Sequence, residues 1–376
     1  MFSKKNNLFI IIVFLASVTL PLLFSDKKGG QISYLENRYL ASLPELITED
    51  WKPAPGIHNG LDNWIKDNAG GRNLALRTYY TLTYKLLHVI PEANVVGGKE
   101  NWLYLIPDYD LPNYINSNIP SKDHLALLKE NFTRITNSLE QKNIENVIMV
   151  WPYKYSVYPE YFPDTIKPIT EQTAISVLDN ELSNNPNFDF GTALEPLING
   201  KKLHQTYFKA FDRSHWNQYG SFLAYQALMQ QVQKHLPDLK ILSESDFTIE
   251  PIIKETSTTW GFHTAEEDLQ YSLNGGYKGV SDLTFFDTFD FTSQDPWKSF
   301  NYYKNPDSSL PKAIIIGDSF TWMFMLRNLS ESFSELVFVH YSDLDSVNRI
   351  IEKIHPDILI AAGLGSGFAD VFAAYQ

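Results

Sequence analysis

Two short blocks carry the residues able to do chemistry. Gly317-Asp318-Ser319-Phe320 follows the apolar run Ala313-Ile314-Ile315-Ile316 and precedes a helical pattern. A serine at the carboxyl end of a parallel strand sits at the usual ligand crevice of an α/β sheet, beside the free N–H groups of the next helix. Those N–H groups can stabilise an oxyanion, which makes Ser319 a candidate nucleophile and Gly317 a candidate for the oxyanion side. The blander alternative is that Asp318 or Ser319 only caps the helix. The second block, Phe211-Asp212-Arg213-Ser214-His215-Trp216-Asn217, precedes a helix whose Phe222, Tyr225, Met229 and Val232 form an apolar face. On such a turn Asp212 can hold the Nδ1 side of His215 and leave Nε2 for a hydroxyl, which needs a base to act as a nucleophile near neutral pH. The alternative here is a capped turn with a packing histidine.

The elements around these blocks must bring residues about a hundred positions apart to one place. The C-terminal third alternates apolar runs and helical patterns: strand 313–316, helix 320–333, strand 336–339, helix 344–355, strand 358–360. This βαβαβ order predicts a doubly wound, largely parallel sheet flanked by helices. Upstream, a helix near 122–141, the run Val147-Ile148-Met149-Val150 and a helix near 171–184 extend the alternation. Val95-Val96, Gly97-Gly98 and Trp102 to Leu105 read as strand, turn, strand, after a helical pair broken at Gly70-Gly71. The aromatic, turn-rich stretch at about 243–310 shows no periodicity and is expected to be an irregular, lid-like insertion in a domain over 58–376.

Ser-His-Trp-Asn-Gln-Tyr-Gly at 214–220, Gly-Asp-Ser-Phe at 317–320 and their spacing resemble the SGNH hydrolase-like domain of the alginate O-acetyltransferase family. So do Glu36-Asn37-Arg38-Tyr39-Leu40 with Pro44, Gly98-Lys99-Glu100-Asn101-Trp102-Leu103-Tyr104, and Pro152-Tyr153-Lys154 with Tyr158 and Pro163. The resemblance covers roughly residues 31 to 362, with the permuted order in which the histidine block precedes the serine block. It implies Ser319 as nucleophile, His215 as base, Asp212 as the residue that orients it, and Lys154 as a cleft residue. It also implies an acetyl group moved onto an exported polysaccharide, supplied by a membrane-embedded partner.

Two departures stand out. The alginate-type pattern has Asp two residues before His, where this chain has Arg213, so Asp212 follows the Asp-x-x-His spacing of ordinary SGNH esterases. Those esterases also carry an oxyanion Asn after a later strand, where this chain has Gly363-Leu364-Gly365-Ser366-Gly367. Backbone N–H groups of that loop, beginning at Gly363, can take the place of the Asn, and a plain turn is the alternative. An acetylesterase, or a glycan-binding scaffold subunit that kept the fold without the chemistry, are the competing functions.

Other polar residues read as structural. His204, His235, His263, His340 and His355 lack ligand spacing, so neither metal nor cofactor is expected. Trp102, Tyr104, Trp151 and Trp216 suit sugar stacking but more commonly pack in cores, and Glu266, Glu267 and Asp268 read as a solvated helix end. The chain has 376 residues, 44% hydrophobic and 14% aromatic, no cysteine and a net charge of −13. That composition supports a sizeable core, excludes disulfides and thiolate chemistry, and argues against nucleic-acid binding. Lys4 and Lys5 precede an uncharged run, Leu8 to Phe24, at the lower edge of the roughly 17–25 residues that span a bilayer. No small-x-small cleavage site follows it. Residues 1–25 are therefore expected to be a membrane anchor or signal, 26–57 a linker, and the domain to face the periplasm or cell exterior.

Overall fold

The computed structural model describes residues 4–25, 29–33, 38–87, 90, 94–106, 111–256, 264–288 and 300–375. Glu36, Asn37 and His263 lie outside them. The chain divides into two units, residues 1–92 with 254–265 and residues 93–253 with 266–376.

The first unit contains the helices Lys4–Leu23, Ile57–Asn68 and Arg72–Leu87. The last two are the expected pair, separated at Gly71, whose φ of 77° favours glycine. The expected membrane-spanning anchor is corrected. A helix forms over Lys4–Leu23, but among the described residues no helix is long and apolar enough to cross a membrane. Its uncharged part, Leu8 to Leu23, rises about 24 Å at 1.5 Å per residue, short of the roughly 30 Å hydrocarbon core. Pro21 lies inside its last turn.

The second unit is built on a seven-stranded sheet. In chain order its strands are β1 (Glu145–Trp151), β2 (Phe190–Thr192), β3 (Val280–Ser281), β4 (Phe300–Lys304), β5 (Lys312–Gly317), β6 (Glu335–His340) and β7 (Ile358–Leu364). Their spatial order is β2-β1-β7-β5-β6-β4-β3. The five from β2 to β6 are mutually parallel, while β4 runs antiparallel to β6 and to β3. The fold is thus an α/β sheet, mostly parallel, with helices on both faces.

Alternation along each strand explains the continuous apolar runs. Ala313 and Ile315 enter one core with Val147, Met149, Ile358 and Ile360, while Ile314 and Ile316 enter the other with Ile148, Val150 and Leu359. Each fully buried Ile or Val stabilises the fold by about 1.5–3 kcal/mol. Helices α1 (Lys122–Glu140), α2 (Ala174–Leu182), α5 (Val347–Ile354) and α6 (Gly365–Ala373) cover the second core, and α3 (Gln218–His235) and α4 (Ser319–Leu329) cover the first.

The stretch 243–310 is more regular than its sequence suggests. Phe247–Thr256 and Thr264–Leu273 pair as a two-stranded sheet, and β3 and β4 join the edge of the main sheet. These strands have few neighbours, so only part of each faces a core and no apolar run marks them. Glu266 and Asp268 lie in the second of the paired strands rather than at a helix end, with Asp268 only 4% exposed.

Candidate active site

Ser319 begins α4 directly after β5. Asp318 caps that helix, its carboxylate accepting from the N–H of Phe320 (3.0 Å) and of Leu364 at the end of β7 (2.6 Å). Deeper, the Thr321 hydroxyl donates to the Ala362 carbonyl at 2.7 Å and accepts from the Trp151 indole at 2.9 Å. The start of α4 is therefore bonded to both β1 and β7, and the Ser319 side chain faces outward.

His215 stands on the turn before α3. Asn217 caps that helix by accepting from the Gly220 N–H at 2.9 Å, and a Cβ at Gly220 would come within 2.0 Å of the Thr206 carbonyl. That close approach accounts for the glycine in the Ser-His-Trp-Asn-Gln-Tyr-Gly block. Trp216 is fully buried against Trp151 and Phe320. His215 is held between these two anchored elements. Its Nε2 lies 2.8 Å from Ser319 Oγ, and its Nδ1 lies 3.0 Å from Asp212 Oδ2 and 3.2 Å from Ser214 Oγ. The other Asp212 oxygen accepts from the backbone N–H groups of Ser214 (2.8 Å) and His215 (2.9 Å).

The electrostatics follow from this packing. Burial acts to raise the Asp212 carboxyl, but the adjacent imidazole and the two N–H donors outweigh it and hold the group well below the ordinary carboxylate range. Burial acts to lower the His215 imidazole, and the Asp212 charge and hydrogen bond outweigh that too, so its pKa lies above the usual value. Burial raises the Asp318 carboxyl against the N–H groups it caps.

A cavity of about 390 Å³ opens over Ser319, lined also by Tyr153, His340, Tyr341, Gly367 and Phe368. His340, read from sequence as structural, stands at the end of β6 beside Gly317 and faces this cavity. The two candidate oxyanion glycines are placed differently. Gly317 and Gly363 are buried strand residues; a Cβ would come within 2.7 Å of the Ala362 carbonyl at the first and 2.1 Å of the Phe368 ring at the second. Close packing explains both glycines, and the part of the 363–367 segment that lines the cavity is Gly367, on α6.

Lys154 does not reach the cavity. It is 3% exposed, and its ammonium donates to the carbonyls of Leu103 (2.6 Å), Lys209 (3.1 Å) and Asp212 (3.0 Å), beside the rings of Trp102 and Tyr104. Burial lowers its pKa to about 7 against the opposing pull of Asp212 and Glu266. Glu266 works from the other side of the same turn, its carboxylate accepting from the N–H groups of Lys209 (2.9 Å), Ala210 (2.7 Å) and Phe211 (3.2 Å). The buried Lys154 and the half-buried Glu266 thus grip the backbone that presents Asp212 and His215. Sequence reasoning missed this role because the resemblance implied a cleft position for Lys154 and Glu266 read as part of a solvated helix end. Trp102, Tyr104, Trp151 and Trp216 are likewise core residues.

Replacing Lys154 by Met keeps the volume but leaves carbonyls of the turn without their charged donor. Hydrogen bonds to a charged group contribute about 1.5–3 kcal/mol each, offset by relief of the buried charge. We expect a net loss of about 2–4 kcal/mol in stability, read as a lower denaturant midpoint with unchanged slope.

Residues 95–261 match the family model described as the SGNH hydrolase-like domain, acetyltransferase AlgX. Among solved structures, that of Bacillus cereus PatB1 superposes with a TM-score of 0.53 at 16% identity, over 75% of this chain and 99% of that one. The same protein with a sulfonyl adduct gives 0.53 at 15%, over 74% and 96%. The O-acetyltransferase domain of Pseudomonas putida AlgJ gives 0.42 at 14%, over 75% and 94%. At such identities the two PatB1 structures show the fold alone. Among curated proteins none matches. The family match includes Asp212 and His215 and stops short of Ser319, which the sheet delivers to them. This part of the chain is thus similar to the SGNH hydrolase-like domain of the acetyltransferase AlgX, the resemblance read from the sequence.

Proposed function

We propose that this chain is an O-acetyltransferase that moves an acetyl group onto hydroxyls of an exported polysaccharide through an acetyl-serine intermediate. The observation that carries the reading is the unbroken series Ser319 Oγ, His215 Nε2, His215 Nδ1, Asp212 Oδ2, with contacts of 2.8 and 3.0 Å. Ser319 Oγ attacks the acetyl carbonyl carbon as its proton passes to His215 Nε2. The bond to the donor's leaving oxygen then breaks, and that oxygen takes the proton from His215. A sugar hydroxyl next gives its proton to His215 and attacks the acetyl-serine carbonyl, forming the sugar ester and returning Ser319 to its hydroxyl.

Asp212 stays ionised throughout and stabilises the imidazolium formed in each half. Asp318 spends its carboxylate on Phe320 and Leu364, which leaves the Ser319 N–H, first in the helix, to meet the developing oxyanion. A second donor comes from the start of α6 at Gly367, across the same cavity. Lys154 and Glu266 position the turn. The acetyl group arrives from a membrane-embedded donor protein, and the domain works in the periplasm or at the cell exterior. The run of exposed apolar residues in the helix Lys4–Leu23, preceded by Lys4 and Lys5, supports export.

Supplied with an aryl acetate and oligosaccharides of glucose, N-acetylglucosamine and glucuronate, the protein is expected to yield acetylated oligosaccharide faster than it raises free acetate. Free acetate as the sole product across the panel would show an acetylesterase instead.

A further inference from the structure

The solvent-facing side of α4 leads away from Ser319. Ser319, Trp322 and Arg327 are exposed and Met323 is half-buried, while Phe320, Thr321, Met325 and Leu326 point into the core. At 1.5 Å per residue, Met323 lies about 6 Å and Arg327 about 12 Å along the axis from the serine. Trp322, with 44% of its surface open, is a large exposed aromatic one turn from the nucleophile. An isolated exposed aromatic needs no explanation. Here, however, the same stripe continues into a second cavity.

That cavity, of about 340 Å³, is formed by Met323, Phe324 and Arg327 of α4 with Gln270, Tyr271 and Tyr277 from the stretch 243–310. The Arg327 guanidinium lies 4.7 Å over the Tyr277 ring, and the Tyr277 hydroxyl donates to Asn328 Oδ1 at 2.9 Å. The Tyr271 N–H is fixed by Gln218 Oε1 at 3.0 Å, and its ring packs on Phe222 and Phe247. The walls are therefore rigid and offer both aromatic faces and the amide and guanidinium groups of Gln270 and Arg327. Flat apolar faces beside hydrogen-bonding edges match the two sides of a pyranose ring.

We propose that this cavity is a distal subsite for the glycan acceptor, with the polymer lying along the solvent face of α4 and crossing Trp322 between the subsite and Ser319. The proposal rests on the acetyl-transfer reading above and adds where the acceptor is held and why a chain of several sugars is preferred. Binding energy gathered a few sugars away holds a hydroxyl at the acetyl-serine long enough to outcompete water.

The test uses the full chain, its Trp322→Ala and Arg327→Gln variants and the double variant. Calorimetric binding of a disaccharide and a hexasaccharide of glucose, N-acetylglucosamine and glucuronate is compared with hydrolysis of a small aryl acetate. We expect at least one hexasaccharide to bind saturably. Each single change should weaken it about tenfold, while disaccharide affinity and aryl acetate hydrolysis stay within about twofold. No saturable binding of any hexasaccharide, or binding unaltered in the double variant, overturns the subsite. If a hexasaccharide binds in this variant-sensitive way yet is never acetylated, the transfer reading fails and the subsite stands. If it is acetylated while binding ignores both changes, the subsite fails and transfer stands.

Discussion

Replacing Ser319 by Ala is expected to reduce acyl turnover by about 10⁴-fold or more, with little loss of stability. The serine hydroxyl has no substitute in the site. Its neighbour Asp318 is committed to two backbone N–H groups, and the other polar side chains around the cavity are a tyrosine pair and His340. The hydroxyl is exposed and bonded only to the imidazole among the hydrogen bonds described, so its removal leaves the cap, the Thr321 anchor and the core of α4 intact. Steady-state hydrolysis of an aryl acetate, with a thermal melt on the same samples, separates the two effects. A melt unchanged and turnover near wild type would eliminate Ser319 as nucleophile.

Asp212→Asn is expected to cost about 10²–10⁴-fold in the same assay. The amide keeps the volume but offers no negative charge to the imidazolium, and an amide nitrogen turned toward Nδ1 favours the tautomer that cannot accept the serine proton. The pH profile carries an independent signature. Neutral His215 is the active base, so turnover rises as pH rises through its pKa, which the Asp212 charge holds above the ordinary imidazole value. Removing that charge takes away what stabilises the imidazolium. The midpoint of the kcat/KM profile should therefore move to lower pH as the plateau falls. A plateau that falls with no movement of the midpoint would mean that Asp212 does not govern the base.

The parts of this architecture that could be read from sequence are those where burial leaves a simple imprint. β5, β6 and β7 are covered on both faces, so nearly every residue is apolar and the strands stand out as runs; β1 does the same at Val147 to Val150. The site motifs were legible because each residue there has one dominant job: Asn217 caps, Gly220 makes room for a carbonyl, and Asp212 reaches a histidine three residues on. The region 243–310 was opaque for the opposite reason. In Thr264–Leu273 the inward positions include Glu266 and Asp268, polar groups whose partners are backbone or lie far away in sequence, so hydropathy assigns them to solvent. Lys154, expected in the cleft, is buried instead, because only the fold brings three carbonyls to its ammonium. Gly317 and Gly363, read as candidates for the oxyanion side, also make room for the Ala362 carbonyl and the Phe368 ring respectively, close approaches that only the fold creates. The N-terminal run reaches Phe24, but its helix ends at Leu23, which leaves the uncharged helical stretch short of a bilayer.

The most direct test of the central claim is to trap the covalent intermediate. The full chain is mixed with an aryl acetate in the absence of any glycan, quenched in acid during turnover, digested and analysed by mass spectrometry. One acetyl group is expected on the peptide containing Ser319, lost when an acceptor oligosaccharide is added before the quench and absent in Ser319→Ala. An acetyl group carried on a different side chain during turnover, with Ser319 unmodified, would contradict it.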